Sequence, residues 1–133
     1  MLRVALDTNV VVSAIIADGK PRELLRKGIA GEFTLITSSW LLGEFVSVMR
    51  RPKFKASQDE IQRIVSALIQ SNEVVARKSD FRVVRQDPKD DMVINTAYDG
   101  KADTIVSGDR YLLNIKEFRG IKIASISEAS RQL

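Results

Sequence analysis

The chain of 133 residues contains no cysteine and no histidine. The absence of cysteine excludes disulfides and thiolate metal sites, and it is compatible with a reducing cytoplasm, where we expect the protein to act. The absence of histidine excludes a Ser/His/Asp triad, an imidazole general base and the usual zinc ligands. An enzyme built from this chain must therefore rely on carboxylates, hydroxyls, amines or a hard metal ion.

Long hydrophobic runs are also missing. The longest ones, such as "VVVSAIIA" at 10–17, fall well short of the roughly 18–20 residues that cross a bilayer, so no membrane association is expected. The start "MLRVALD" has no apolar segment followed by small residues, which predicts that there is no signal peptide. The length, with 44% hydrophobic and 29% charged residues, predicts one globular domain over 1–133.

The chain is basic, with a formal net charge of +4. Lysine and arginine cluster at 20–27, 50–55 and 77–82. A polyanion is the natural partner of such clusters, because contacts to phosphates release counterions. The candidates for such phosphate contacts are Arg50, Arg51, Lys53 and Lys55. A solvated basic surface that keeps the protein soluble is the competing interpretation.

Hydrophobic periodicity and capping signals predict alternating strands and helices. The predicted strands are 2–6, 33–37, 73–76, 82–84, 103–107 and 121–125. The predicted helices are 8–17, the segment between Pro21 and Gly31, Ser38 or Ser39 to Arg51, 57–71, 87–101, 109–115 and a C-terminal turn. This alternation predicts βαβ units and a parallel sheet covered on both faces. Ligands collect at the carboxyl ends of the strands in such sheets.

Two aspartates stand where predicted strands end. Asp7 follows the first strand directly, and Asp109 follows "TIVSG". If the two strands are neighbours, both carboxylates point into the same crevice. Capping is the alternative for each, because Asp7 could form an Asx-turn and Asp109 could begin the next helix.

Two further carboxylates lie beside apolar helix stripes. Glu44 lies at the edge of the stripe of its helix, and Asp90 heads the stripe that continues through Val93 and Ala97. The neighbouring Asp91 is turned away by about 100°. A border position for Glu44, and a cap from Asp87 to Asp90 that complements the helix dipole, are the alternatives.

A cluster of carboxylates without histidine or cysteine suits Mg²⁺ or Mn²⁺, which prefer oxygen ligands. Such ions activate water and stabilise the in-line displacement at a phosphodiester. Removing the four carboxylates from the 17 acidic residues leaves 13 acidic against 21 basic residues in the rest of the chain. An acidic site in a basic body is what a metal-dependent nuclease requires, but it is not unique to nucleases.

Three segments of the chain resemble the PIN domain, a family of metal-dependent ribonucleases. They are "LDTNVVVSA" at the start, "LLGEF" around Glu44, and "DPKDDMVINTAYDGKADTIVSGDRYLL" at 87–113. The last segment is the most specific of the three, and it resembles the branch described as toxins of toxin–antitoxin pairs. The resemblance covers nearly the whole chain.

The resemblance implies a three-layer α/β/α, Rossmann-like fold with a central parallel sheet of about five strands. It also implies Mg²⁺ or Mn²⁺ as cofactor, RNA as substrate, a homodimer and a protein antitoxin as partners. The implied catalytic and metal-binding residues are Asp7, Glu44, Asp90 and Asp109, with Thr8, Asn9 and Ser107 in support. Helical face and spacing favour Asp90 as the third acid, with Asp91 as a substitute.

Other α/β families fit less well. A response-regulator receiver domain requires an acidic pair after the first strand, and a haloacid-dehalogenase-like phosphatase requires Asp-x-Asp where this chain has Asp7 and Asn9. No P-loop is present. The remaining alternatives are a catalytically silent RNA-binding PIN module and a PIN nuclease of RNA processing or quality control. The presence of all four acids argues against the silent module.

Overall fold

A computed structural model describes all 133 residues and contains a six-stranded sheet. The strands are β1 (Arg3–Leu6), β2 (Thr34–Ser38), β3 (Asn72–Val75), β4 (Thr104–Val106), β5 (Glu117–Phe118) and β6 (Ile121–Ala124). The helices are α1 (Thr8–Ile16), α2 (Lys20–Ile29), α3 (Ser39–Met49), α4 (Gln58–Ser71), α5 (Pro88–Asp99), α6 (Arg110–Ile115) and α7 (Ile126–Gln132), with a 3₁₀ turn at Pro52–Phe54. No helix is both long and apolar enough to cross a membrane.

The sheet has the strand order β3-β2-β1-β4-β6-β5. The first five strands in this order are parallel, and only the two-residue β5 pairs antiparallel, with β6. In the centre, Ala5 of β1 lies between Ile36 of β2 and Ile105 of β4. The predicted parallel α/β sheet is confirmed, with β5 as an additional edge strand that the sequence pattern did not indicate.

Two hydrophobic clusters lie on opposite faces of the sheet. Val4 and Leu6 belong to a cluster of 16 buried residues beneath α1, α2, α3, α4 and α7. Ala5 belongs to the other cluster, of 12 buried residues beneath α5 and α6. Because successive strand residues point to opposite faces, the consecutive residues Val4, Ala5 and Leu6 are all apolar and all buried. The result is the predicted three-layer α/β/α arrangement.

Local capping signals set several helix starts as the sequence predicts. Ser57 and Glu60 form a reciprocal capping box at α4. Ser38 accepts from the Leu41 amide and begins α3. Asp87 caps α5 by accepting from the backbone amide of Lys89 at 3.0 Å. These contacts satisfy amides that the helices cannot pair internally.

The prediction of a strand at 82–84 is wrong, because this segment lies along α5 and not in the sheet. Three side chains of α5, one helical turn apart, hold the extended segment 78–84. Asp91 accepts from two consecutive backbone amides at 2.8 Å each, and Asn95 pairs with both the amide and the carbonyl of one residue. Asp99 accepts from two more amides and a hydroxyl. The segment therefore satisfies its backbone with side chains instead of a strand ladder.

Candidate metal centre

Asp7 and Asp109 meet at the carboxyl edge of two neighbouring strands. Leu6 of β1 lies beside Val106 of β4, and the Asp7 amide continues the ladder by donating to the Val106 carbonyl at 2.9 Å. Ser107 links the two acids, because its hydroxyl donates to Asp7 Oδ2 at 2.7 Å and accepts from the Asp109 amide at 2.9 Å. The parallel pairing thus brings together two carboxylates that are about a hundred residues apart in sequence.

A tighter group of carboxylates forms between the starts of α5 and α6. One carboxylate oxygen each from Asp87, Asp90 and Asp109 lies within 4.8 Å of the other two. Asp90 is only 7% exposed, and its Oδ2 atom is buried without any hydrogen-bond partner. An unpaired buried carboxylate oxygen is costly. Asp90 Oδ2 therefore faces the other two carboxylates without a hydrogen-bonding counterpart.

Asp87 is the member of this group that our sequence analysis treated only as part of a helix cap. It does cap α5, and it also faces Asp90 across one helical turn. The signal was present in the sequence, because residues three apart lie on the same side of a helix. The Asp-Pro-x-Asp spacing at the start of α5 therefore places both carboxylates toward the same edge of the sheet.

Asp7 and Glu44 lie beside this group and interact with it electrostatically. Burial raises the pKa of Asp7, the Ser107 hydrogen bond opposes that change, and the charge of Asp109 adds to it. The pKa of half-buried Glu44 is also raised. Burial is the largest cause, and the charge of Asp7 is the second. The structure thus gathers all four sequence-predicted acids into one acidic region, with Asp87 as a fifth.

The largest pKa shift is that of Asp90. Burial first, and then the charges of Asp109, Asp7 and Asp87, raise the pKa of Asp90 to about 7. Each of these causes disfavours the ionised carboxylate, so the ionised site is incomplete without positive charge.

The donor set fits a hard divalent cation. All donors are carboxylate oxygens, which Mg²⁺ and Mn²⁺ prefer. Opposite ligands of Mg²⁺ are about 4.2 Å apart, twice a bond length of about 2.1 Å. The 4.8 Å limit within the group exceeds this by an amount that small side-chain rotations can close. Asp87, Asp90 and Asp109 could therefore hold such an ion, with Asp7 and Glu44 nearby.

Asp91 has a different role from Asp90. Its carboxylate is buried on another side of α5 and accepts the two amides of the 78–84 segment. Asp91 is not a member of the tight carboxylate group, whereas Asp90 is. The geometry therefore favours Asp90 over Asp91 as the third acid.

The residues predicted to support the site differ in their surroundings. Ser107 is fully buried between the two strand-end aspartates. Thr8 is also buried; its hydroxyl lies near Glu44, where it slightly opposes the raised pKa, but it makes no hydrogen bond of regular geometry. Asn9 is exposed and lines an open groove of about 560 Å³.

This groove borders Asp109 and lies between the starts of α1, α6 and α7. Its lining includes Asn9, Ser13, Arg110 and Tyr111. The Arg110 guanidinium carbon lies 5.5 Å from the centre of the Tyr111 ring, and the tyrosine is 37% exposed. A cation beside an exposed aromatic ring is suited to nucleotides. The sequence pattern gave no signal for this pair, because the two residues lie outside the basic clusters.

The four basic residues predicted to bind RNA are all exposed, at the end of α3 and in the turn that follows. Arg50 comes six residues after Glu44, which is about 9 Å along the helix axis. Lys53 Nζ lies 5.0 Å from the centre of the Phe54 ring. Lys89 is nearer to the acids, since its charge acts directly on the pKa of Glu44.

Comparisons with known proteins agree with this fold. A family model described as the PIN domain matches residues 3–111, and the chain belongs to the PIN-domain family. The chain is similar to one in the crystal structure of VapBC2 from Rickettsia felis bound to a DNA fragment from their promoter. That likeness has a TM-score of 0.61 and 17% sequence identity, and it covers 93% of this chain and 98% of that chain. No curated protein matches the chain.

Proposed function

We propose that the protein is an endoribonuclease that depends on Mg²⁺ or Mn²⁺ and acts as the toxin of a toxin–antitoxin pair. The observation that carries the nuclease assignment is the buried, unpartnered Oδ2 of Asp90 within a group of three carboxylates. Membership of the PIN-domain family supports the same chemistry.

The carboxylates have distinct tasks in phosphodiester hydrolysis. A divalent cation, when bound, supplies positive charge for the phosphate and lowers the pKa of a water. Asp7 is held through Oδ2 by Ser107, so that its Oδ1 is available to orient the attacking water. The water oxygen attacks phosphorus, one backbone P–O bond breaks, and a carboxylate takes the proton of the water. The leaving oxygen gains a proton from solvent.

Basic side chains around the acids would hold the RNA backbone. Lys89 and Arg110 each adjoin one acid of the site, and the groove beside Tyr111 offers space for a nucleotide. The contact would extend past the end of α3 through Arg50, Arg51, Lys53 and Lys55. Phosphate contacts of this kind give affinity without sequence selectivity.

The toxin role rests on the likeness to the VapBC2 structure, a toxin–antitoxin complex on its promoter DNA, at the level of fold. By this proposal the protein acts in the cytoplasm, forms a homodimer and is inhibited by a protein antitoxin. A small gene with a DNA-binding sequence pattern directly upstream would support the pairing. Growth arrest on expression of the wild type, but not of Asp7→Asn, would support it further.

Cleavage assays with purified protein test the nuclease. Wild type, Asp7→Asn and the control Asp18→Asn are compared on structured and single-stranded RNA with Mg²⁺, Mn²⁺ or EDTA. Asp18 is a good control because its side chain is 90% exposed and pairs with Arg22 away from the site. We expect cleavage by wild type and Asp18→Asn only in the presence of metal, and at least a 100-fold loss in Asp7→Asn, about 2.7 kcal/mol of transition-state stabilisation.

Activity that survives EDTA, or equal activity of Asp7→Asn, would contradict the metal site. Binding of RNA without cleavage under every metal condition would instead identify the protein as a silent RNA-binding PIN module. Cleavage confined to one structured RNA, without growth arrest, would favour a nuclease of RNA processing or quality control.

A further inference from the structure

Asp87 has a position that a helix cap alone does not explain. We propose that Asp87 is a direct ligand of the divalent cation, together with Asp90 and Asp109. This inference rests on the proposed metal-dependent function, and it adds to the site a residue beyond the four acids that the sequence pattern predicts.

The two carboxylate oxygens of Asp87 have different roles. Oδ1 accepts the Lys89 amide and caps α5, which leaves Oδ2 available for a ligand. Asp109 is arranged in the same way, because its Oδ1 accepts the amides of Tyr111 and Leu112 at the start of α6. Two helix caps thus present one carboxylate oxygen each toward the space near Asp90.

Asp90 has a buried carboxylate oxygen without a partner. This residue is 7% exposed, and its Oδ2 makes no hydrogen bond. One carboxylate oxygen each from Asp87, Asp90 and Asp109 lies within 4.8 Å of the other two. Three carboxylates without a counterion repel one another, and a cation bound between them would remove the repulsion.

Contacts along α5 fix the position of Asp87. The residue closes the loop that follows β3, and the 78–84 part of that loop is held on α5 by Asp91, Asn95 and Asp99. Three side chains, each one helical turn apart, thus fix the path of the loop along α5 as it approaches the cap. Such support is typical of residues that orient a metal ligand.

A cap does not require a carboxylate at this position. Asparagine caps a helix about as well as aspartate, but its neutral amide oxygen is a much weaker ligand for Mg²⁺ or Mn²⁺. Asp87→Asn therefore preserves the cap and removes the anionic ligand. The variant separates the two roles within one side chain.

Binding of Mn²⁺ to the intact protein, measured by electron paramagnetic resonance and calorimetry without RNA, tests the inference. We expect Asp87→Asn to weaken Mn²⁺ binding at least about tenfold. In EDTA its melting temperature should equal or exceed that of the wild type, because the cap remains and one repulsive charge is gone. This second measurement shows that the variant is folded.

Asp18→Asn is the control for the loss of one acidic charge, because its side chain is 90% exposed and pairs with Arg22 away from the site. It should change Mn²⁺ affinity less than about twofold, a difference well under one tenfold step. If Asp87→Asn binds Mn²⁺ like the wild type, or if both variants lose affinity equally, the inference is overturned while the proposed nuclease stands. If the wild type itself binds no Mn²⁺, the metal-dependent function fails as well.

Discussion

Replacing Asp90 by asparagine should stabilise the metal-free protein while it abolishes cleavage. The pKa of Asp90 is raised from 3.8 to about 7 in the folded state. An acid whose folded pKa exceeds its unfolded pKa binds its proton more tightly when folded, so ionisation destabilises the fold. The cost is absent below pH 3.8, grows as the pH rises, and is complete above about pH 7.

The magnitude follows from the difference between the two pKa values. At 1.36 kcal/mol per pKa unit, the full cost at pH 8 is about 4 kcal/mol. The charge is shared with Asp87 and Asp109, which lowers the gain from replacing one residue, so we expect Asp90→Asn to gain about 2–4 kcal/mol at pH 8. At pH 5 the folded carboxyl is already protonated, and the remaining gain is at most about 1.7 kcal/mol.

Urea unfolding followed by circular dichroism in EDTA, at pH 8 and pH 5, measures both values. Asp91→Asn is the control, because its carboxylate accepts two buried amides. The same chemical change should there destabilise the protein by about 0.5–2 kcal/mol. Saturating Mg²⁺ should stabilise the wild type by about 2.7 kcal/mol at one hundred times the dissociation constant, and Asp90→Asn much less. Equal or lower stability of Asp90→Asn at pH 8 would refute the reasoning.

Two further predictions concern positions around the site and in the core. Ser107→Ala removes the donor that lowers the pKa of Asp7, so the acidic limb of the pH–rate profile should move to higher pH, with a loss in kcat of about 10–100-fold; an unchanged profile would contradict this role. Gly28→Ala would place its Cβ 2.6 Å from Leu35 Cγ in the core and should cost about 1–2 kcal/mol in urea unfolding after the gain in helix propensity. The control Gly43→Ala, with nothing within 4 Å of its Cβ, should gain about 0.5–1 kcal/mol, and the reasoning fails if the two changes have the same sign.

Much of the fold could be predicted because its signals are local. The capping box at Ser57 and Glu60 and the proline at the start of α5 place helix ends with nearest-neighbour contacts. The apolar stretch of β1 predicts a strand buried on both faces. Element types and their order were confirmed for these reasons.

The failures concern two segments whose hydrogen-bond partners are decided by the fold and not by the composition of the segment. The 82–84 segment has the composition of a strand, but Asp91 takes the amides that a sheet would have paired. β5 is only two residues long and exists because it meets β6 after a tight turn. Neither outcome can be derived from composition, since each depends on which hydrogen-bond partner the tertiary structure places beside the segment.

The candidate site also combines features that the sequence predicts with features that depend on the tertiary structure. The sequence by itself determined the chemistry, since a chain without histidine or cysteine can offer a metal only oxygen ligands, and strand ends and helix stripes mark Asp7, Glu44, Asp90 and Asp109. Only the tertiary structure decided the spatial grouping. Pairing of β1 with β4 brings the starts of α1 and α6 together, and the loop held on α5 adds Asp87. The physical reason is that the distances between these carboxylates are set by the packing of elements far apart along the chain, and those distances define the candidate cation site.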